Sequence, residues 1–122
     1  MAEKYLHAVS CRGDLDAVRH CLSHANPAVD GARTRGRTAL WEAAARGHAA
    51  VCAALLDAGA SPDAEAWSGA GPLVVAARRG RTRAVAAFVQ RGHASPRALE
   101  AAALKGHDDV VQQLLRNGAL PT

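Results

Sequence analysis

The chain has 122 residues with fifteen Lys and Arg against eleven Asp and Glu, a net charge of +4. That length implies one domain able to bury roughly two-thirds of its unfolded surface, and no apolar run approaches the ~20 residues of a membrane span. The charge excess is too small to argue nucleic-acid binding by itself. Three cysteines, Cys11, Cys21 and Cys52, form an odd set without CxxC spacing, so free thiols are expected and neither a disulfide framework nor a zinc site.

The polar start Met1-Ala2-Glu3-Lys4-Tyr5 runs straight into patterned sequence. It does not read as a signal peptide, so a cytoplasmic location is expected, with the nucleus as the alternative. The pattern is periodic. Gly13, Gly47, Gly80 and Gly106 stand 34, 33 and 26 residues apart, and Gly59, Gly92 and Gly118 each follow twelve residues after the preceding one of these, Ala25 standing at that position in the first unit. A fixed period of this kind is the mark of stacked supersecondary units.

In chain order, a first helix begins each unit. Leu6-His7-Ala8-Val9-Ser10-Cys11-Arg12 aligns with Leu40-Trp41-Glu42-Ala43-Ala44-Ala45-Arg46, with Leu73-Val74-Val75-Ala76-Ala77-Arg78-Arg79 and with Leu99-Glu100-Ala101-Ala102-Ala103-Leu104-Lys105. Thr38 reads as the N-cap of the second unit's helix, and Gly47 as its break. Second helices follow, with apolar positions at i and i+4: Ala17-Val18 and Cys21-Leu22, Val51-Cys52 and Leu55-Leu56, Ala84-Val85 and Phe88-Val89, Val110-Val111 and Leu114-Leu115. One helix pair cannot bury such a stripe, but stacked pairs can. Ser95 with Pro96 reads as the N-cap and N1 of the fourth unit's first helix, and Pro72 suits N1 in the third.

Gly36 to Leu40 as Gly-x-Thr-Ala-Leu, Gly47-His48, Gly106-His107, and Gly59 to Pro62 as Gly-Ala-Ser-Pro resemble the ankyrin repeat. The resemblance covers nearly the whole chain. It implies an all-α ankyrin-repeat solenoid of four helix–turn–helix units, spanning about 1–30, 31–64, 65–95 and 96–122, with β-hairpin or loop fingers. About seven residues are missing between Gly92 and Leu99 relative to the other units. Two full-length fingers are therefore expected, around Asn26 to Arg37 and around Ser61 to Ala70, with the third collapsed. Ala25 in place of glycine, beside Asn26 and Pro27, predicts a distorted first loop. Polar Arg19-His20 and Gln112-Gln113 replace Ala53-Ala54 and Ala86-Ala87. This suits end units facing water and predicts a complete four-repeat protein.

Catalysis is not expected. His7, His48 and His107 occupy slots that the resemblance makes structural, bonding between repeats; His20, His24 and His93 are scattered. No Gly-x-Ser-x-Gly, phosphate loop or Cys/His pair at ligand spacing is found. Cys21 and Cys52 align with apolar residues, while Cys11 falls on the groove face and is the thiol to test for reactivity. No cofactor and no metal are expected.

The resemblance implies binding through the concave face of the first helices and the finger tips. Arg12, Arg46, Arg79 and Lys105 precede the mid-unit glycines in register; Arg78 joins them, and Arg33, Arg35 and Arg37 enrich the first finger. The row reads either as a groove for an acidic surface or as solvated charge favourable at helix C-termini. Trp67, at the tip of the second finger, is read as a hot spot or as folded back on a shortened finger. Trp41 is expected to pack between repeats with an edge in the groove, and Glu42 and Val75 are expected to face the groove and add specificity. The expected function is a protein–protein interaction module, an adaptor, scaffold or inhibitor, binding through Arg33, Arg35, Arg37, Glu42, Arg46, Trp67, Val75, Arg78 and Arg79 and acting as a monomer. The alternatives are a basic groove for a polyanion, nucleic acid or phosphoinositide, and a structural subunit of a complex. An aromatic content of 3% argues against stacking on single-stranded bases.

Overall fold

The computed structural model describes residues 2–24, 36–63, 65–66 and 69–117. Among them are eight α-helices and no strand. In chain order they are α1 (Ala2–Arg12), α2 (Leu15–His24), α3 (Ala39–Arg46), α4 (Ala49–Asp57), α5 (Pro72–Arg78), α6 (Thr82–Val89), α7 (Pro96–Leu104) and α8 (Asp108–Arg116).

Local chemistry sets the ends of these short helices. Thr38 Oγ1 accepts from the Trp41 N–H at 3.1 Å, and Ser95 Oγ accepts from the Ala98 N–H at 3.4 Å. Asp14 caps α2 in the same way, accepting from Ala17 N–H at 3.1 Å. Pro72 and Pro96 occupy first-turn positions, where the missing N–H costs nothing. After each first helix the glycine takes positive φ, 78° at Gly47. The following N–H then bonds the carbonyl five residues back: Asp14 to Val9, His48 to Ala43, Arg81 to Ala76 and His107 to Ala102. Four identical left-handed stops answer the otherwise unpaired carbonyls at the helix ends.

The helices pack in two layers. α1, α3, α5 and α7 lie side by side in one, and α2, α4, α6 and α8 in the other, each helix also touching its own hairpin partner. The core runs unbroken through all four units. Leu6, Leu40, Leu73 and Leu99 are buried in the first layer, and Cys21, Leu55, Phe88 and Leu114 at matching positions of the second. Small residues at Ala43, Ala44, Ala76 and Ala77, all fully buried, let neighbouring first helices approach closely. Arg19, His20 and Gln112 are exposed at the two ends, whereas Ala53, Ala54 and Ala86 are half-buried and Ala87 is buried.

The connections differ as the missing residues predict. α4 ends at Asp57 and α5 begins at Pro72, but α6 ends at Val89 and α7 begins at Pro96. In the longer connection Ala66 N–H bonds Ala70 O at 3.1 Å, and Gly69, at φ 85°, donates to Ala66 O at 2.9 Å. α7 reaches back to this segment: Arg97 donates to Gly69 O at 3.3 Å and lies 3.6 Å from Glu65. The distorted first loop expected at Ala25, Asn26 and Pro27, and most of the expected first finger, lie outside the described residues, as does Gly118.

Candidate functional site

Four units in register bring equivalent residues to equivalent places. Arg12 and Arg46 end α1 and α3, while Arg79 and Lys105 cap α5 and α7, and all four are exposed. A cation there complements the negative end of the helix dipole. The middle two rungs also have partners within the chain. Arg46 Nη2 donates to Glu42 Oε2 at 3.2 Å, and Arg79 Nη1 donates to Ala45 O at 3.4 Å.

Among the described residues, Glu42 is the centre of a connected group on this layer. It is only 6% exposed, and a carboxylate at that depth needs compensation. Besides Arg46, it accepts from Cys11 Sγ at 3.2 Å and stands 3.6 Å from Arg37 Nη1. The Arg37 guanidinium lies 4.4 Å from the centroid of Trp41, and that of Arg79 lies 6.0 Å away, so the indole face carries two cations. Trp41 is buried, and its Nε1 donates to Ala70 O at 2.9 Å. It packs between units as the sequence predicts.

Cys11, the thiol singled out to test for reactivity, is half-buried and not activated. Desolvation, then its bond to the Glu42 carboxylate and that carboxylate's charge, push it up to about 11, against a smaller lowering by Arg46. At neutral pH it is a thiol that donates, not a nucleophilic thiolate. Burial pushes Cys52 up to about 12. The sequence reading found no Cys/His pair at ligand spacing, yet His7 and Cys11 are four residues apart on α1, with Nδ1 and Sγ at 3.7 Å. One ligand atom from each of His7, Cys11 and Glu42 lies within 4.8 Å of the others. The i, i+4 spacing was the available signal. The third donor, from α3, has no signal in local sequence.

The position after each mid-unit glycine joins successive units. His48 Nε2 lies 3.1 Å from Cys11 O, and His107 Nε2 lies 2.9 Å from Arg78 O, as expected of both histidines. The third unit does the same with a different residue, Arg81 Nε donating to Ala45 O at 3.0 Å. Sequence reasoning missed Arg81 because it sought a histidine rather than the register position. These side chains lie over the glycine of the preceding unit. A Cβ at Gly13 or Gly80 would meet the ring of His48 or His107 at 2.6 or 2.7 Å. The same three residues give their own helices no side-chain cap.

Of the nine residues expected to bind a partner, Arg37, Glu42, Arg46 and Arg79 form one contiguous group. Arg78 is half-buried, and its carbonyl receives His107. Val75 is a correction: it is fully buried in the first layer, because α3 and α7 cover it on both sides, and it has no surface to offer. Glu42, expected in the groove, is held by its own chain. Arg33, Arg35 and Trp67 lie outside the described residues.

A family model for ankyrin repeats (3 copies) matches residues 2–66, the segment containing α1 to α4. No match was found among curated proteins.

Proposed function

The chain belongs to the ankyrin-repeat family, and on that premise we propose that it is an adaptor or inhibitor binding an acidic face of another protein across its first-helix layer. Ankyrin repeats are generic protein–protein interaction modules, generally without enzymatic activity. The observation that carries the reading is the exposed, in-register row Arg12, Arg46, Arg79 and Lys105. Among the described residues, the side chains of Arg12 and Lys105 make no hydrogen bond or ion pair, so their charge is available to a partner. Arg37 over Trp41 offers a flat, partly desolvated cation between the middle rungs. Stacked helices hold these groups in place before contact, so binding orders few side chains. Trp67, Arg33 and Arg35, which lie outside the described residues, are proposed to join in binding the same partner, and the chain is proposed to act as a monomer.

The test begins with capture of the partner from cells by cross-linking through the full chain. Affinity for that partner is then compared among variants. Arg12→Glu with Lys105→Glu is expected to weaken binding tenfold or more while the melting temperature falls by only a few degrees, through the lost helix-dipole complement. Arg83→Glu, exposed on α6 in the other layer, is expected to leave binding unchanged. Loss with Arg83→Glu and none with the row would overturn the reading. The same row favours a polyanion as the alternative. A steep fall of affinity with salt on nucleic acid or phosphoinositide vesicles, with no protein captured, would decide for it.

A further inference from the structure

The group formed by His7, Cys11 and Glu42 has a chemistry that partner binding does not use. It combines one imidazole, one thiol and one carboxylate, on two helices from different units. We propose that His7, Cys11 and Glu42 form a three-ligand site for a zinc ion at the junction of α1 and α3, with the fourth position open to solvent or to a partner's side chain.

The donor types come first. Zinc takes thiolate sulfur, imidazole nitrogen and carboxylate oxygen in tetrahedral arrangement, at about 2.3, 2.0–2.1 and 2.0–2.2 Å. Those bond lengths separate neighbouring ligand atoms by roughly 3.3–3.6 Å. Cys11 Sγ already stands 3.2 Å from Glu42 Oε2 and 3.7 Å from His7 Nδ1. All three ligand atoms fall within 4.8 Å of one another, so two edges of the tetrahedron are present and the third closes with a small side-chain movement.

Position and support come next. His7 and Cys11, at i and i+4, face the same side of α1, and Glu42 meets them from α3 while almost fully buried. His7 and Cys11 are half-buried, which leaves an approach for the ion. Arg37, 3.6 Å from Oε1, orients the carboxylate from behind and leaves Oε2 to the metal, the outer-shell support that ligating carboxylates usually have. Arg46 now shares Oε2 but has a half-exposed side chain and can turn to solvent when the ion arrives. In the binding step the Sγ–H bond breaks, its proton passes to solvent, and the Zn–S bond forms. Imidazole and carboxylate each donate a lone pair without redox change. One proton is therefore released per ion at neutral pH.

The ion would tie the first unit to the second at a second place, beside the His48 bond to Cys11 O. The test uses the untagged full chain, reduced, with Co2+ as a spectroscopic stand-in for Zn2+. One equivalent of Co2+ is expected to give a sulfur-to-cobalt charge-transfer band in the near ultraviolet, bleached by Zn2+. Cys11→Ala abolishes the band, and His7→Ala and Glu42→Gln each weaken binding tenfold or more. His93→Ala, in the loop before α7, leaves it unchanged. If Glu42→Gln fails to fold, alkylation of the wild-type chain gives a separate readout, because zinc is expected to protect Cys11 selectively. A band that survives Cys11→Ala, no saturable binding up to millimolar metal, or Cys11 alkylated equally with and without zinc would overturn the site.

Discussion

α3 and α7 are the same element in two surroundings. Both open on a hydroxyl cap, Thr38 and Ser95, and both run to a left-handed glycine, Gly47 at φ 78° and Gly106 at φ 75°. α3 lies between α1 and α5, and every residue from Ala39 to Ala45 is buried. α7 has α5 on one side, and only Ala98, Leu99 and Ala102 are buried. At one matched position Ala45 is 2% exposed and Leu104 is 82% exposed. The glycines repeat the contrast: a Cβ on Gly47 would approach Arg81 Cδ at 3.0 Å, and one on Gly106 would meet nothing within 4 Å. The adjacent unit, not the helix's own sequence, decides how much of each side chain leaves water, as expected of a nearest-neighbour array.

Paired substitutions sharpen or break that contrast. Leu40→Ala, at a fully buried position, is expected to cost about 2–5 kcal/mol in urea unfolding, while Leu104→Ala changes stability negligibly; equal costs would refute the contrast. The glycines come next. Gly106→Ala carries only left-handed strain, about 1–2 kcal/mol, and Gly80→Ala is expected to cost more, because the new methyl also displaces the His107 ring and its bond to Arg78 O. Thr38→Ala is expected to cost about 1 kcal/mol through the lost cap.

The smallest effect lies at a surface pair joining the second and third units. Arg91 holds Asp57 by two bonds, of 2.8 and 3.1 Å. That guanidinium lowers the Asp57 carboxyl below its ordinary 3.8. A depressed carboxyl stabilises the fold above its unfolded value and loses that contribution as pH falls through the folded one. The wild-type chain and Asp57→Asn are therefore expected to differ slightly at neutral pH and to converge in acid below 3.8, and salt should shrink the gap. A difference that grows on acidification would contradict the assignment.

Much of this was legible in the sequence because repetition averages out local ambiguity. Thr38, Ser95 with Pro96, the shortened connection before α7, and the i, i+4 stripes each declare themselves by residue type in register, and the structure reproduces them. Lateral relations were less legible. Register says that Ala8, Glu42, Val75 and Ala101 are equivalent, but not that Val75 is sealed while Ala8 is exposed, which depends on the neighbour. Arg81 hid behind the expectation of histidine, although a guanidinium reaches the same preceding carbonyl. His7 and Cys11 were considered separately, and Glu42 joins them only through helix packing.

Native-state hydrogen exchange, resolved by residue, tests the central claim most directly. If each unit is held by the units beside it, the slowest amides lie in α3 to α6, and protection falls across α7 and α8, although α7 has a hydroxyl cap, a proline in its first turn and good helix formers beyond it. Protection that is uniform along the chain, or greatest in α7 and α8, would contradict that account.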